Sequence, residues 1–184
     1  DALKVNSSLT NLALGYNSIE DKGAAAIADA LKVNSSLTYL SLDENSIRNK
    51  GAMAIAEALM VNSSLTYLAI VGNLIQYEGA TALADALLEN TSLSSLHLQC
   101  NQITRKGAAS IARAITYNPT LVDLKVYDNY LVELSGLQEF KNTFPRLQDL
   151  LNNLIGKDGA QILGITFQIK SRHVMNLSLV DESD

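Results

Sequence analysis

The residues best suited to covalent chemistry stand near one another in the chain. His97 and Cys100 are three positions apart, and Asp123 and Asp128 follow them. A thiol, an imidazole and a carboxylate are the parts of a nucleophilic triad, in which the imidazole takes the thiol proton and the carboxylate orients the imidazole. The same residue types also bind divalent metals, but one histidine, one cysteine and scattered carboxylates lack the spacing of a ligand set. Whether the triad parts can meet depends on the elements that carry them.

Those elements repeat with a period of 28 residues. Ala2, Ala30, Ala58, Ala86 and Ala114 fall in one column; Leu9, Leu37, Leu65, Leu93 and Leu121 in a second; Leu12, Leu40, Leu68, Leu96 and Leu124 in a third. Asn17, Asn45, Asn73, Asn101 and Asn129 follow, then Gly23, Gly51, Gly79 and Gly107. A period of this size marks a solenoid, whose units bury their apolar faces only against their neighbours.

Within one copy, the stretch from Leu9 to Leu14 alternates apolar and polar residues over its second half, as a strand does. A bend from Gly15 to Ile19 carries the column asparagine. A buried amide there must find partners, and the backbone of its own bend and of the next coil can supply them. Ala24, Ile27, Ala28 and Leu31 are spaced by three and four, one stripe of a helix of about three turns. Asp21 and Gly23 read as helix-start residues, and Asn34-Ser35-Ser36 returns the chain to the next strand. On this frame His97 lies in an outward strand column and Cys100 in the bend beyond it. An open sheet offers neither a water-excluding pocket nor oxyanion donors, so the expectation is no enzyme, no metal and no cofactor. His173, the other histidine, reads as a solvated loop residue.

The pattern L-x-x-L-x-L-x-x-N-x-I-x-x-x-G-A followed by a helix resembles leucine-rich repeats of the ribonuclease-inhibitor type, over five consecutive copies from Ala2 to about Tyr130. The resemblance implies an α/β fold: a curved right-handed solenoid with a parallel β-sheet on its concave face and helices on its convex face. Family members include ribonuclease inhibitor, the GTPase-activating protein of Ran, tropomodulin and the sensor regions of innate immune receptors. They imply a protein–protein interaction module in the cytoplasm. Two alternatives come from the family alone: regulation of a small GTPase, and the targeting region of a bacterial effector acting in the host cytosol.

Composition agrees with a single elongated core. The chain has 184 residues, 47% of them hydrophobic, and no tryptophan. A net charge of −5 argues against nucleic acid as partner, and no apolar run approaches membrane-spanning length. The one cysteine excludes an internal disulfide and suits a reducing compartment. Sequons at Asn6, Asn34, Asn62 and Asn90 point to secretion, but they occupy one repeat column and read as a copied helix-ending turn.

Function must come from positions the frame leaves free. The first outward strand column reads Asn11, Tyr39, Tyr67, Ser95, Asp123; the second Ala13, Ser41, Ala69, His97, Lys125. The third reads Gly15, Asp43, Val71, Gln99, Tyr127, with Tyr16, Glu44, Gly72, Cys100 and Asp128 beside it. Alternation puts the first three columns on one exposed face. From these the expected partner-binding residues are Tyr16, Tyr39, Tyr67, Asp43, Glu44, His97, Gln99, Asp123, Lys125, Tyr127 and Asp128. Tyr39 and Tyr67 should form an aromatic pair on adjacent strands. The acidic excess favours another protein with a basic surface.

The ends break the pattern. The chain starts inside the last turn of a helix, which reads as a fragment lacking upstream repeats, with self-association through the open N-terminal end. One solenoid domain is expected over 1–184, regular over 2–113 and drifting over 114–184. Near Leu150–Asn153 the spacing is too short for a regular coil, which leaves either a degenerate unit or one with residues missing from the sequence. Asn153 to Ala160 recovers the motif, and Val174 to Leu179 reads as a last strand.

Overall fold

The computed structural model describes residues 2–126 and Asn129. The readings made for Leu150–Asn153, for the recovered motif, for the last strand and for His173 fall outside the described residues. Five strand–helix coils follow one another: α1 (Ala2–Val5), β1 (Asn11–Ala13), α2 (Glu20–Leu31), β2 (Tyr39–Ser41), α3 (Asn49–Leu59), β3 (Tyr67–Ala69), α4 (Tyr77–Glu89), β4 (Ser95–His97), α5 (Arg105–Tyr117) and β5 (Asp123–Lys125). The strands form one parallel sheet in sequence order, and each pairs with the next at a 28-residue register, as Tyr39 with Tyr67 and Leu40 with Leu68. Parallel strands stack at about 4.8 Å, whereas packed helices need about 8–10 Å. The stack therefore bends toward its strands, which makes the strand side the concave one.

The leucine columns form the core. Leu37, Leu40, Leu65, Leu68, Leu93 and Leu96 have no exposed surface, and the helices contribute Ala28, Leu31, Ile55, Leu59, Leu83 and Leu87. Each fully buried aliphatic side chain contributes about 1.5–3 kcal/mol. Leu9 of the first coil, in the same column, is 38% exposed.

Two asparagine columns hold the coils in register. Asn73 Nδ2 donates to the carbonyls of Leu42 and Val71, and its Oδ1 accepts from the N–H groups of Asn45 and Ile47. Three of those four bonds reach the preceding coil. The expected link to the next coil is thus corrected: each buried amide closes the bend before it. The helix-ending column works the same way. Asn62 Nδ2 donates to Leu31 and Asn34 carbonyls, while Oδ1 accepts from Ser64 and Leu65 N–H. Asn34 and Asn90 repeat this pattern. A glycan on Nδ2 would replace one of the two N–H donors that each of these three sequon asparagines uses.

The helix starts also differ from expectation. α3, α4 and α5 begin two residues ahead of the column glycine, which lies inside the first turn. Asp21 serves the following coil: its Oδ1 accepts from Arg48 and Gly51 N–H at 2.8 Å, capping α3 from outside. Asn49 does the same for α4 through Gln76 and Gly79 N–H. Glycine is needed there for close approach. A Cβ on Gly79 would lie 2.8 Å from Ile75 Cγ2 and 3.0 Å from Ala52 Cβ.

Candidate partner-binding face

Four of the expected residues meet across four strands. Tyr39 and Tyr67 occupy the same register position on β2 and β3, and their rings stack at 4.3 Å between centroids, 8° from parallel. The Tyr67 ring meets His97 edge-on at 4.8 Å. The Tyr67 hydroxyl lies 2.8 Å from His97 Nδ1, and His97 Nε2 lies 2.9 Å from Asp123 Oδ2. Stacked and edge-to-face aromatic contacts of this kind add about 0.5–1.5 kcal/mol beyond area burial.

These bonds run diagonally, from the first column of one strand to the second column of its neighbour. Side chains as long as tyrosine and histidine span that diagonal. They also dispose of the triad: both imidazole nitrogens are taken, by Tyr67 and Asp123, and Cys100 is exposed in the bend. Among the described residues no group of three or more His, Cys, Asp or Glu could hold a metal ion. No described helix is long and apolar enough to cross a membrane.

The face is less open than alternation suggests. Ser41, Ala69, His97 and Gln99 are all buried, with His97 only 7% exposed. On β2, β3 and β4 the second column is thus covered, while Tyr39, Tyr67, Ser95 and Asp123 of the first column are half-buried. Asp43 is fixed: Ser41 Oγ donates to its Oδ2 at 2.7 Å and Val71 N–H to its Oδ1 at 2.8 Å. Ser41 is a supporting residue that the sequence reading did not single out. Its signal was the two-residue step to Asp43 on one strand face.

The remaining expected residues are not gathered into this cluster. Glu44 is exposed at the bend with φ of 53°, and its carboxylate crowds the place a Cβ on Gly72 would take. Gly72 itself has φ of 63°, a value that favours glycine. Tyr16 occupies the same bend position in the first coil, 85% exposed and with φ of 59°. Lys125 is half-buried opposite His97 in the register. Tyr127 and Asp128 lie outside the described residues.

The Tyr67 hydroxyl is held well above the usual tyrosine range. Burial is the largest cause, followed by the neighbouring Tyr39 and the carboxylates of Asp43 and Asp123. The hydroxyl thus stays protonated in a negative field.

The pattern of the family described as Leucine Rich repeat matches residues 5–28, 33–56, 61–84 and 89–112, together more than half of the chain. No curated protein matches it. Among solved structures, leiomodin-1 actin-binding site 2 is similar with a TM-score of 0.61 and 24% identity, over 89% of this chain and 92% of the other. The C-terminal domain of a Caenorhabditis elegans tropomodulin is similar with a TM-score of 0.62 and 14% identity, over 89% and 95%. At these identities the likeness concerns the fold.

Proposed function

Since the chain belongs to the leucine-rich repeat family, we propose that it is a protein-binding module whose partner docks on the concave strand face. The observation that carries this reading is the Tyr39–Tyr67–His97–Asp123 ladder. It sets two stacked, half-buried tyrosines in a strand column that carries the smaller Asn11 and Ser95 on the neighbouring strands. Tyrosine is a frequent interface hot spot because it brings large area at low entropy cost. Among the described residues of this face Asp43, Glu44 and Asp123 outnumber Lys125, which favours a partner with a basic surface. A reducing, cytoplasmic setting suits the exposed thiol of Cys100 and the committed amides of Asn34, Asn62 and Asn90.

The first partner to measure is actin, because one structure of like fold is described as an actin-binding site. Proteins retained by the immobilised chain should be compared between the native sequence and variants, with affinities taken by calorimetry. Tyr39→Ala and Tyr67→Ala should each weaken binding by more than about 1 kcal/mol. The helix-side changes Lys22→Glu and Arg113→Glu should leave it unchanged. Loss with the helix variants and retention with the tyrosine variants would move the site to the convex side.

A further inference from the structure

Nine large apolar side chains are exposed among the described residues, and six of them fall in two adjacent columns of the repeat. Val5, Val33, Val61 and Tyr117 are separated by multiples of 28, and Met60 and Leu88 stand one position before that column. All six lie at helix C-termini. Val5 closes α1, Val33 and Val61 follow the caps of α2 and α3, Leu88 is in the last turn of α4, and Tyr117 ends α5. Each is between 41% and 84% exposed, so the described residues leave the row open to solvent. Single exposed apolar residues need no explanation, but a row carried by five successive helices has the character of a binding surface.

The charges beside this row run against the stability of the helices that carry them. Asp29, Glu57, Asp85 and Glu89 lie in the C-terminal turns of α2, α3 and α4, and none of α2 to α5 has a basic residue in its last turn. A helix C-terminus carries partial negative charge and favours cations. Asp85 and Glu89 are also four apart on α4, where like charges repel. Lys4 and Lys32 stand at one end of the row and Arg113 at the other. Lys32 lies 3.5 Å from Asp29 and 3.4 Å from Glu57, and Arg113 lies 3.8 Å from Asp85, all of them exposed pairs of little strength. Helix stability does not account for the carboxylates; attraction to a basic partner does.

Spacing narrows the form of that partner. Packed helices stand about 8–10 Å apart, and two turns of an α-helix rise about 10.5 Å. A helix laid along the row therefore meets a new coil with every seventh residue. We propose that this helix-end edge is a second binding surface, separate from the strand face, and that it takes an amphipathic helix of another protein. The apolar residues of that helix recur at heptad spacing, and Lys or Arg flanks them. The same carboxylates that attract it repel an anionic membrane.

The isotope-labelled full chain is titrated, under nuclear magnetic resonance, with an amidated peptide made of three Lys-Leu-Ala-Ala-Leu-Lys-Ala heptads. One control peptide carries glutamate for lysine and a second carries serine for leucine. The lysine–leucine peptide should shift the methyl signals of Val33, Val61 and Leu88 and bind about tenfold tighter than either control. Val61→Ser should weaken it about fivefold. Glu57→Gln and Asp85→Asn should each weaken it about threefold, and less so at high salt. Tyr39→Ala should leave it unchanged. Neither carboxylate variant should lower the melting temperature; a fall with both would show that the carboxylates serve the fold, and would overturn the inference. Shifts confined to the strand face, equal binding of the three peptides, or binding indifferent to Val61→Ser and Glu57→Gln would overturn it and leave the concave-face reading standing. No shift at millimolar peptide would do the same. So would binding to vesicles of phosphatidylserine and phosphatidylcholine that Val61→Ser abolishes, since the row would then serve a membrane.

Discussion

The first and third coils carry almost the same frame residues and meet different fates. In the third, Leu65, Leu68, Ile70 and Ile75 have no exposed surface, and Asn73 is 2% exposed. In the first, Leu9 is 38% exposed, Leu12, Leu14 and Ile19 are half-buried, and Asn17 is exposed. Asn17 Nδ2 bonds Leu14 and Gly15 carbonyls of its own bend, without the bonds to a preceding coil that Asn73 makes. Local sequence is thus enough to bend the chain. Burial and the inter-coil bonds depend on the preceding coil, as nearest-neighbour stability in a solenoid requires.

The sharpest way to break this comparison is to truncate equivalent leucines. Leu68→Ala should cost about 2–5 kcal/mol in denaturant unfolding, as buried leucine truncations do. Leu12→Ala, half-buried in the first coil, should cost less than half of that. Equal losses would mean that the first coil is as tightly packed as the third.

The asparagines should separate next. Asn73→Ala strands the Leu42 and Val71 carbonyls and the Asn45 and Ile47 N–H groups, for a cost of about 3 kcal/mol. Asn17→Ala should cost under about 1 kcal/mol, since water can replace its exposed bonds. If Asn73→Ala unfolds at the same denaturant concentration as the native chain, the inter-coil bonds contribute nothing.

The glycines give the smallest contrast. Gly79→Ala brings a Cβ against Ala52 of the preceding coil as well as Ile75, and should cost about 1–3 kcal/mol through overpacking. Gly23→Ala brings a Cβ to 2.5 Å from Ile19 Cγ2 of its own bend but meets no atom of another coil; Ile19 is half-buried and can shift, and alanine is better than glycine in a helix by about 1 kcal/mol. It should cost less than Gly79→Ala. Comparing the melting temperatures of the two variants decides whether glycine is required by neighbouring coils or by the turn itself.

Much of the architecture can be read without coordinates. A period of 28 places equivalent residues side by side, so the strand register and the Tyr39–Tyr67 pair follow from counting. That works because each coil repeats the same backbone path, and translation by one coil maps column onto column. The period alone does not reveal contacts between columns. Tyr67 and His97 are 30 residues apart and His97 and Asp123 are 26. These separations differ from the period by two, and only side-chain length and packing decide that they are filled. Tertiary structure likewise decided that the asparagines bond backward, that Asp21 caps the following helix, and that His97 is buried rather than displayed. Each depends on which surface the adjacent coil presents, and a residue's own sequence neighbourhood does not contain that information.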